Sequence, residues 1–196
     1  MTRAEAVALA LSQLPDEDIV VAADGAISRE AYRAKDRPRT FYMLGSMGQV
    51  ASIALGLAMT RRERVVALDG DGNLLMGFGG LAMVGGLKPP NLYHLVLDNG
   101  CYATTGGQPA LSQQVDVAAA AAAVGYSWAR RCSSADHARE AVGAWLAVSG
   151  PALLDLTVDV ADPDPAPRVP MTPEQMADRV RAALGRKDGS CLPSHV

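Results

Sequence analysis

Val65-Val66-Ala67-Leu68-Asp69-Gly70-Asp71-Gly72-Asn73 opens with four apolar residues and ends in a turn that sets a carboxylate between two glycines. A continuous apolar run of this kind is what a strand covered on both faces requires. Gly70 and Gly72 let a bulky anion approach the backbone, and the helix that follows turns free N–H groups toward it. Asp71 is placed to hold a hard cation, which prefers oxygen ligands. By itself Gly-Asp-Gly is a common turn. Nor does it complete a dinucleotide fingerprint, because Leu75 stands where GxGxxG has its third glycine.

Residues 92–97 read as another central strand, apolar apart from His94, and it too ends in a polar turn, Asp98-Asn99-Gly100-Cys101-Tyr102. Both predicted strands end at the same edge of a sheet. The Asp71 carboxylate, the Asn99 amide oxygen and a backbone carbonyl can therefore meet one Mg²⁺, with phosphate oxygens and water completing an octahedron. Further strands are expected at residues 18–23, 40–43, 126–131 and 153–158. Helical patterns lie between them. Thr2 with Glu5 and Thr172 with Gln175 read as capping boxes, Asp116 caps an alanine-rich helix that stops at Gly125, and Ser134 caps another. Ser46, with Gln49 three residues on, reads as the cap of a long helix. Residues 24–39 read as irregular with a short helix around Glu30, 74–84 as a helix weakened by Gly77, Gly79 and Gly80, and 100–113 as a loop. Strands alternating with helices predict an α/β fold, three layers α/β/α with a central parallel sheet. Ligands then sit beyond the C-terminal ends of the strands.

The 196 residues, 49% hydrophobic and 20% charged, suit one domain over residues 1–186, with a tail from Lys187 expected to be disordered. A net charge of −3 gives no reason to expect nucleic acid. No apolar run is long enough for a bilayer. Cys101, Cys132 and Cys191 are scattered, which argues against zinc, iron–sulfur or a disulfide framework, and the reducing cytoplasm is the expected compartment.

Gly70-Asp71-Gly72, a spacer of about two dozen residues, and Asn99 after an apolar strand together resemble the motif of thiamine diphosphate enzymes. The resemblance implies Mg²⁺ held by the side chains of Asp71 and Asn99 and the carbonyl of Cys101, with Asn73 touching the diphosphate. Gly70, Gly72 and Tyr102 would complete that side. The motif usually ends Asn-Asn, and the departure, Asp98, falls on the residue that is not the ligand. Leu44-Gly45-Ser46-Met47-Gly48 resembles the family's pyrimidine-side loop. There the Gly45 carbonyl would accept from the cofactor's 4′-amino group, and Met47 would wedge between the two rings. Where relatives contact the diphosphate with hydroxyl side chains, this chain has Ala26 and Ile27. That leaves Ser28 or backbone N–H groups. Within the family the similarity is to sulfopyruvate and phosphonopyruvate decarboxylases, carried also by Ser28-Arg29-Glu30 and Gly106-Gly107-Gln108-Pro109.

That family needs a glutamate on the aminopyrimidine nitrogen, supplied from a separate domain. Glu5, Glu63 and Glu140 fall on helix or turn positions that read as exposed. The resemblance therefore implies a hetero-oligomer: a partner subunit supplies the glutamate, this chain resembles the beta subunit, and a small acidic 2-oxoacid is decarboxylated. A carboligase subunit and a non-catalytic nucleotide-binding or regulatory subunit are the rival readings. Among other residues, His94 reads as a satisfied core histidine, and Arg29, Arg33, Lys35 and Arg37 as a charged surface run. Tyr102, Thr104, Thr105 and Gln108 read equally well as a cover over substrate or as a plain polar loop.

Overall fold

The computed structural model describes residues 1–160 and 166–185. In chain order it holds α1 (Arg3–Ser12), β1 (Ile19–Ala22), α2 (Ala26–Ala34), β2 (Thr40–Tyr42), α3 (Val50–Thr60), β3 (Val65–Gly70), α4 (Asp71–Met76), α5 (Gly79–Leu87), β4 (Leu92–Asp98), β5 (Cys101–Tyr102), β6 (Gln108–Pro109), α6 (Val117–Val124), β7 (Trp128–Cys132), α7 (Ala138–Ala147), β8 (Ala152–Thr157) and α8 (Pro173–Leu184). Six strands form one sheet in the order β2-β1-β3-β4-β8-β7, every pairing parallel. All residues of β1 and β4 are buried, as the apolar runs require of strands with a helix layer on each face. The expected three-layer α/β/α architecture is the one observed. No helix among the described residues is long and apolar enough to cross a membrane.

Both capping boxes form, at Thr2 with Glu5 and at Thr172 with Gln175, and Asp116 accepts from the Ala119 N–H. The short helix expected around Glu30 is the nine-residue α2. Three expectations are corrected. Ser46 is not a helix cap: it takes a left-handed φ of 61°, and α3 begins only at Val50. The weak helix is two helices, α4 and α5, divided at Gly77-Phe78. The 100–113 loop contains a small antiparallel hairpin, β5 with β6, and a 3₁₀ turn over Leu111–Gln113. Arg37 also departs from a surface run. Its side chain is buried and donates to the carbonyls of Pro15 and Asp18, tying α2 back to the turn before β1. The tail from Lys187, Cys191 and the start of the proline-rich connector lie outside the described residues.

Candidate functional site

Three strand ends meet at one cleft. It is lined by Ala23 to Ile27 after β1, by Gly70 to Asn73 after β3, and by Asn99 with Cys101 to Thr104 after β4; Met47 and Arg3 close its sides. Asp71, Asn73, Asn99, Cys101 and Tyr102, named from separate parts of the sequence, thus face one space. Gly45 and Ser46 do not line it. They remain exposed, and of their loop Met47 alone reaches the cleft.

The loop is fixed from beneath. The Asn73 side-chain oxygen accepts from the Gly48 N–H. The backbones of Gly48 and Gly77 touch so closely that a Cβ on Gly77 would lie 1.7 Å from the Gly48 carbonyl oxygen. That approach breaks the helix after Met76 and pulls residues 44–48 out of helical register. Gly77→Ala is therefore expected to push the Met47 loop away and to cost about 1–3 kcal/mol. Gly56→Ala, in α3 with open space at its Cβ, is expected to gain a few tenths to ~1 kcal/mol. Thermal unfolding of the two variants checks both.

The floor of the cleft is acidic and buried. Asp71 is 3% exposed, and burial, reinforced by the charge of Asp98, pushes its pKa up to about 6 against the pull of Ser112 and the Gly72 N–H. Ser112 Oγ lies 2.9 Å from Asp71 Oδ2 and 2.8 Å from Asp98 Oδ1. Asp98 also accepts from the Gly100 N–H at 3.0 Å and from Arg131 at 3.0 Å. Arg131 Nε stands 3.5 Å from Asp155, whose carboxylate is wholly buried without a hydrogen bond among the described residues. Burial, then the charge of Asp98, pushes Asp155 up to about 7.

A hard cation with a diphosphate fits these residues. Asp71 is a buried carboxylate short of positive charge. Asn99 is nine-tenths buried, and among the described residues its side-chain oxygen meets only the Cys101 N–H, at 3.2 Å. The Asn73 Nδ2 is a buried donor without an acceptor among the described residues. Two helices, α2 and α4, start at the cleft with no side-chain cap at Gly25 or Gly70; the Ser28 N–H is taken by the Ala23 carbonyl at 3.0 Å, and the remaining N–H groups of the first turns suit an anion. Gly72 admits the Tyr102 ring, whose carbon would be 2.4 Å from a Cβ there. Ser28 is spent elsewhere: its hydroxyl is buried against the carbonyls of Ala22, Ala23 and Met43. Of the two routes to the diphosphate, backbone N–H groups remain. No three His, Cys, Asp or Glu side chains among the described residues form a metal cluster; a cation here rests on one carboxylate, an amide and a carbonyl.

His94 is the satisfied core histidine expected, with Nε2 3.1 Å from Asp69 and Nδ1 3.3 Å from the Tyr126 hydroxyl. The sequence reading missed Ser112, Arg131 and Asp155. One signal was present: a lone carboxylate inside Ala-Leu-Leu-Asp-Leu-Thr must find a cation, and the neighbouring strand carries Arg131. Glu30, named for the resemblance, proves to be 2% exposed and gripped by Arg3 at 2.8–3.1 Å.

Residues 24–156 match the family model for the thiamine pyrophosphate enzyme, C-terminal TPP binding domain. The chain is 43% identical to a phosphonopyruvate decarboxylase of Streptomyces viridochromogenes, over 100% of this chain and 49% of that one. It is 38% identical to the sulfopyruvate decarboxylase subunit beta of Methanothermobacter thermautotrophicus, over 91% of this chain and 93% of that one. The chain thus spans about half the length of the first relatives and nearly all of the subunit. Among solved structures it resembles a thiamine diphosphate-dependent 4-hydroxybenzoylformate decarboxylase of Rhodococcus jostii RHA1, with TM-score 0.69 and 21% identity over 81% of this chain and 33% of that one. At that identity the likeness shows the fold.

Proposed function

The chain belongs to the thiamine pyrophosphate enzyme family, matching its C-terminal TPP binding domain, and from that membership we propose that it is the diphosphate- and Mg²⁺-holding subunit of a two-subunit decarboxylase of a small acidic 2-oxoacid. The observation that carries this is the meeting of Asp71, Asn73, Asn99 and Cys101 in one cleft with two uncapped helix starts. The side chains of Asp71 and Asn99 and the carbonyl of Cys101 would hold Mg²⁺. Asn73 Nδ2 and the N–H groups opening α2 and α4 would hold the diphosphate. Met47 would support the cofactor's bend, with the Gly45 carbonyl as acceptor for the 4′-amino group and Ser46 beside it. When bound, thiamine diphosphate supplies an electron sink for the carbon–carbon bond that breaks. Tyr102 over Gly72 and the hairpin around it would keep water from that bond. The two relatives, a phosphonopyruvate decarboxylase and a sulfopyruvate decarboxylase subunit beta, support an acidic substrate such as phosphonopyruvate or sulfopyruvate.

Two observations favour a partner chain. The cleft holds about 100 Å³, against roughly 300–1,000 Å³ for a site that buries a whole small molecule, so another surface must close over the pyrimidine end. The outer face of α5 is Gly79, Ala82, Met83, Gly86 and Leu87, all exposed, and its inner face is apolar too. A helix apolar all round is a buried helix. Met76 is 63% exposed and Met83 57%, and Phe78, Leu44 and Met47 are exposed apolar side chains as well. No glutamate among the described residues lines the cleft, and the buried Glu30 is held by Arg3. The partner would bring the glutamate. Met83→Glu is expected to abolish co-purification with the partner while leaving this chain's melting temperature within a few degrees, since the Met83 side chain is exposed.

Titration calorimetry of thiamine diphosphate into the co-expressed complex, with Mg²⁺ and with EDTA, tests the proposal. Binding that requires Mg²⁺, followed by release of carbon dioxide from phosphonopyruvate or sulfopyruvate, is the expected result. A folded, associated complex that binds no thiamine diphosphate overturns it.

A further inference from the structure

The segment that leaves β4 carries Asn99 and Cys101 at its start and Ser112 at its end. Between them the chain folds back on itself. Cys101 pairs with Pro109 and Tyr102 with Gln108, and the Ala110 N–H donates to the Gly100 carbonyl at 2.8 Å. The 3₁₀ turn then sends Ser112 inward. It is 2% exposed, although its neighbour Leu111 is 64% exposed. The hydroxyl ends between two carboxylates, 2.9 Å from Asp71 Oδ2 and 2.8 Å from Asp98 Oδ1. Asp71 lies 41 residues away and Asp98 lies 14, so the contact joins the two ends of the segment to the turn after β3.

A serine hydroxyl has one hydrogen, so it donates to one of these carboxylates at a time. Asp98 has other donors, the Gly100 N–H and Arg131. Asp71 is the carboxylate for which the hydroxyl matters most.

We propose that Ser112 is a positioning residue for the cation site. It holds Oδ2 of Asp71 in place, and it latches the far end of the hairpin to that carboxylate, so that cation binding at Asp71 and seating of Cys101 and Tyr102 over the cleft occur as one event. The inference rests on the proposed Mg²⁺ site and adds to it a residue outside the ligand set. A group that orients a ligand without touching the metal is worth on the order of 10–100-fold in metal affinity.

The test is Mg²⁺ affinity at saturating thiamine diphosphate, together with amide hydrogen exchange over residues 101–110, on the co-expressed complex of wild type, Ser112→Ala and Ser112→Thr. In the wild type, Mg²⁺ slows exchange across the hairpin. Ser112→Ala is expected to weaken Mg²⁺ by about 10–100-fold and to lose that slowing, with an unliganded melting temperature close to wild type. Ser112→Thr, which keeps the hydroxyl, restores both. Wild-type affinity and protection in the alanine variant overturn the proposal and leave the cofactor site standing. Equal loss in the alanine and threonine variants, both folded, overturns it as well, because the hydroxyl then has no special part. Wild type without Mg²⁺-dependent binding removes the cofactor proposal and this one together.

Discussion

Asp71→Asn is expected to abolish useful Mg²⁺ binding and, in the same protein, to make the unliganded chain more stable. The first half follows from ligand charge: an amide replaces the one carboxylate in the proposed set, and affinity for a hard cation should fall on the order of a hundredfold or more. The second half follows from linkage. Burial and the charge of Asp98 push the folded pKa of Asp71 up to about 6, above the ordinary carboxylate value of 3.8. Between those values the folded chain holds a proton that the unfolded chain has released. Stability is then fully present at low pH and is lost as pH rises through about 6. The asparagine variant carries no such loss. At pH 8 in EDTA it should exceed wild type by about 2–3 kcal/mol, or roughly 5–10 °C in melting temperature for a chain of this size. At pH 4 the two should melt together. Melts at both pH values, and calorimetry with Mg²⁺ and thiamine diphosphate, read the two halves separately. A variant that binds Mg²⁺ like wild type would remove Asp71 from the site.

A carboxylate that weakens the empty fold and strengthens the loaded one is what a binding residue looks like energetically, and this explains which parts of the molecule were legible in the sequence. The strand β3 announces itself because four apolar residues in a row suit the middle of a sheet with helices on both sides, and β4 is apolar on either side of His94. Thr2 with Glu5 and Thr172 with Gln175 are equally plain, since a cap is a local contract within four residues. That Asp71 and Asn99 line one cleft was legible because a strand order that alternates with helices brings strand ends to one edge; Cys101 was named through the resemblance to thiamine diphosphate enzymes. Ser46 misled for a physical reason. Ser-x-x-Gln is a good local cap, but the contact of Gly48 with Gly77, and the Asn73 oxygen on the Gly48 N–H, are made only in the folded chain and outweigh it. The hairpin after Asn99 carried a signal, Gly106-Gly107 between two short extended pairs, yet its seat depends on Ser112 reaching Asp71 far away in sequence. Arg37 looked like part of a basic surface run because charge alone does not say which arginine finds buried carbonyls.

Asp155→Asn is expected to give the second large effect, again with a sign set by pH. Asp155 is wholly buried, accepts no hydrogen bond among the described residues, and has Arg131 Nε at 3.5 Å as its cation. Burial first, and the nearby charge of Asp98 second, push its pKa up to about 7 from 3.8. The folded chain therefore keeps a proton on Asp155 over a window from about 4 to 7, and its stability falls as pH rises through that window. Asparagine removes the buried charge and leaves Arg131 paired with Asp98. At pH 8 the variant should be more stable than wild type by about 2–4 kcal/mol, and the difference should vanish near pH 4. The same negative charge adds to the field that draws a cation to Asp71, so the variant should bind Mg²⁺ several-fold more weakly. Saturating Mg²⁺ and thiamine diphosphate should then shrink the stability gap at pH 8, because binding favours the wild type more. Denaturant unfolding at pH 4 and 8, with and without the ligands, measures all three quantities. A gap of the same size at both pH values would mean that the substitution acts through packing and that Asp155 carries no charge in the folded chain.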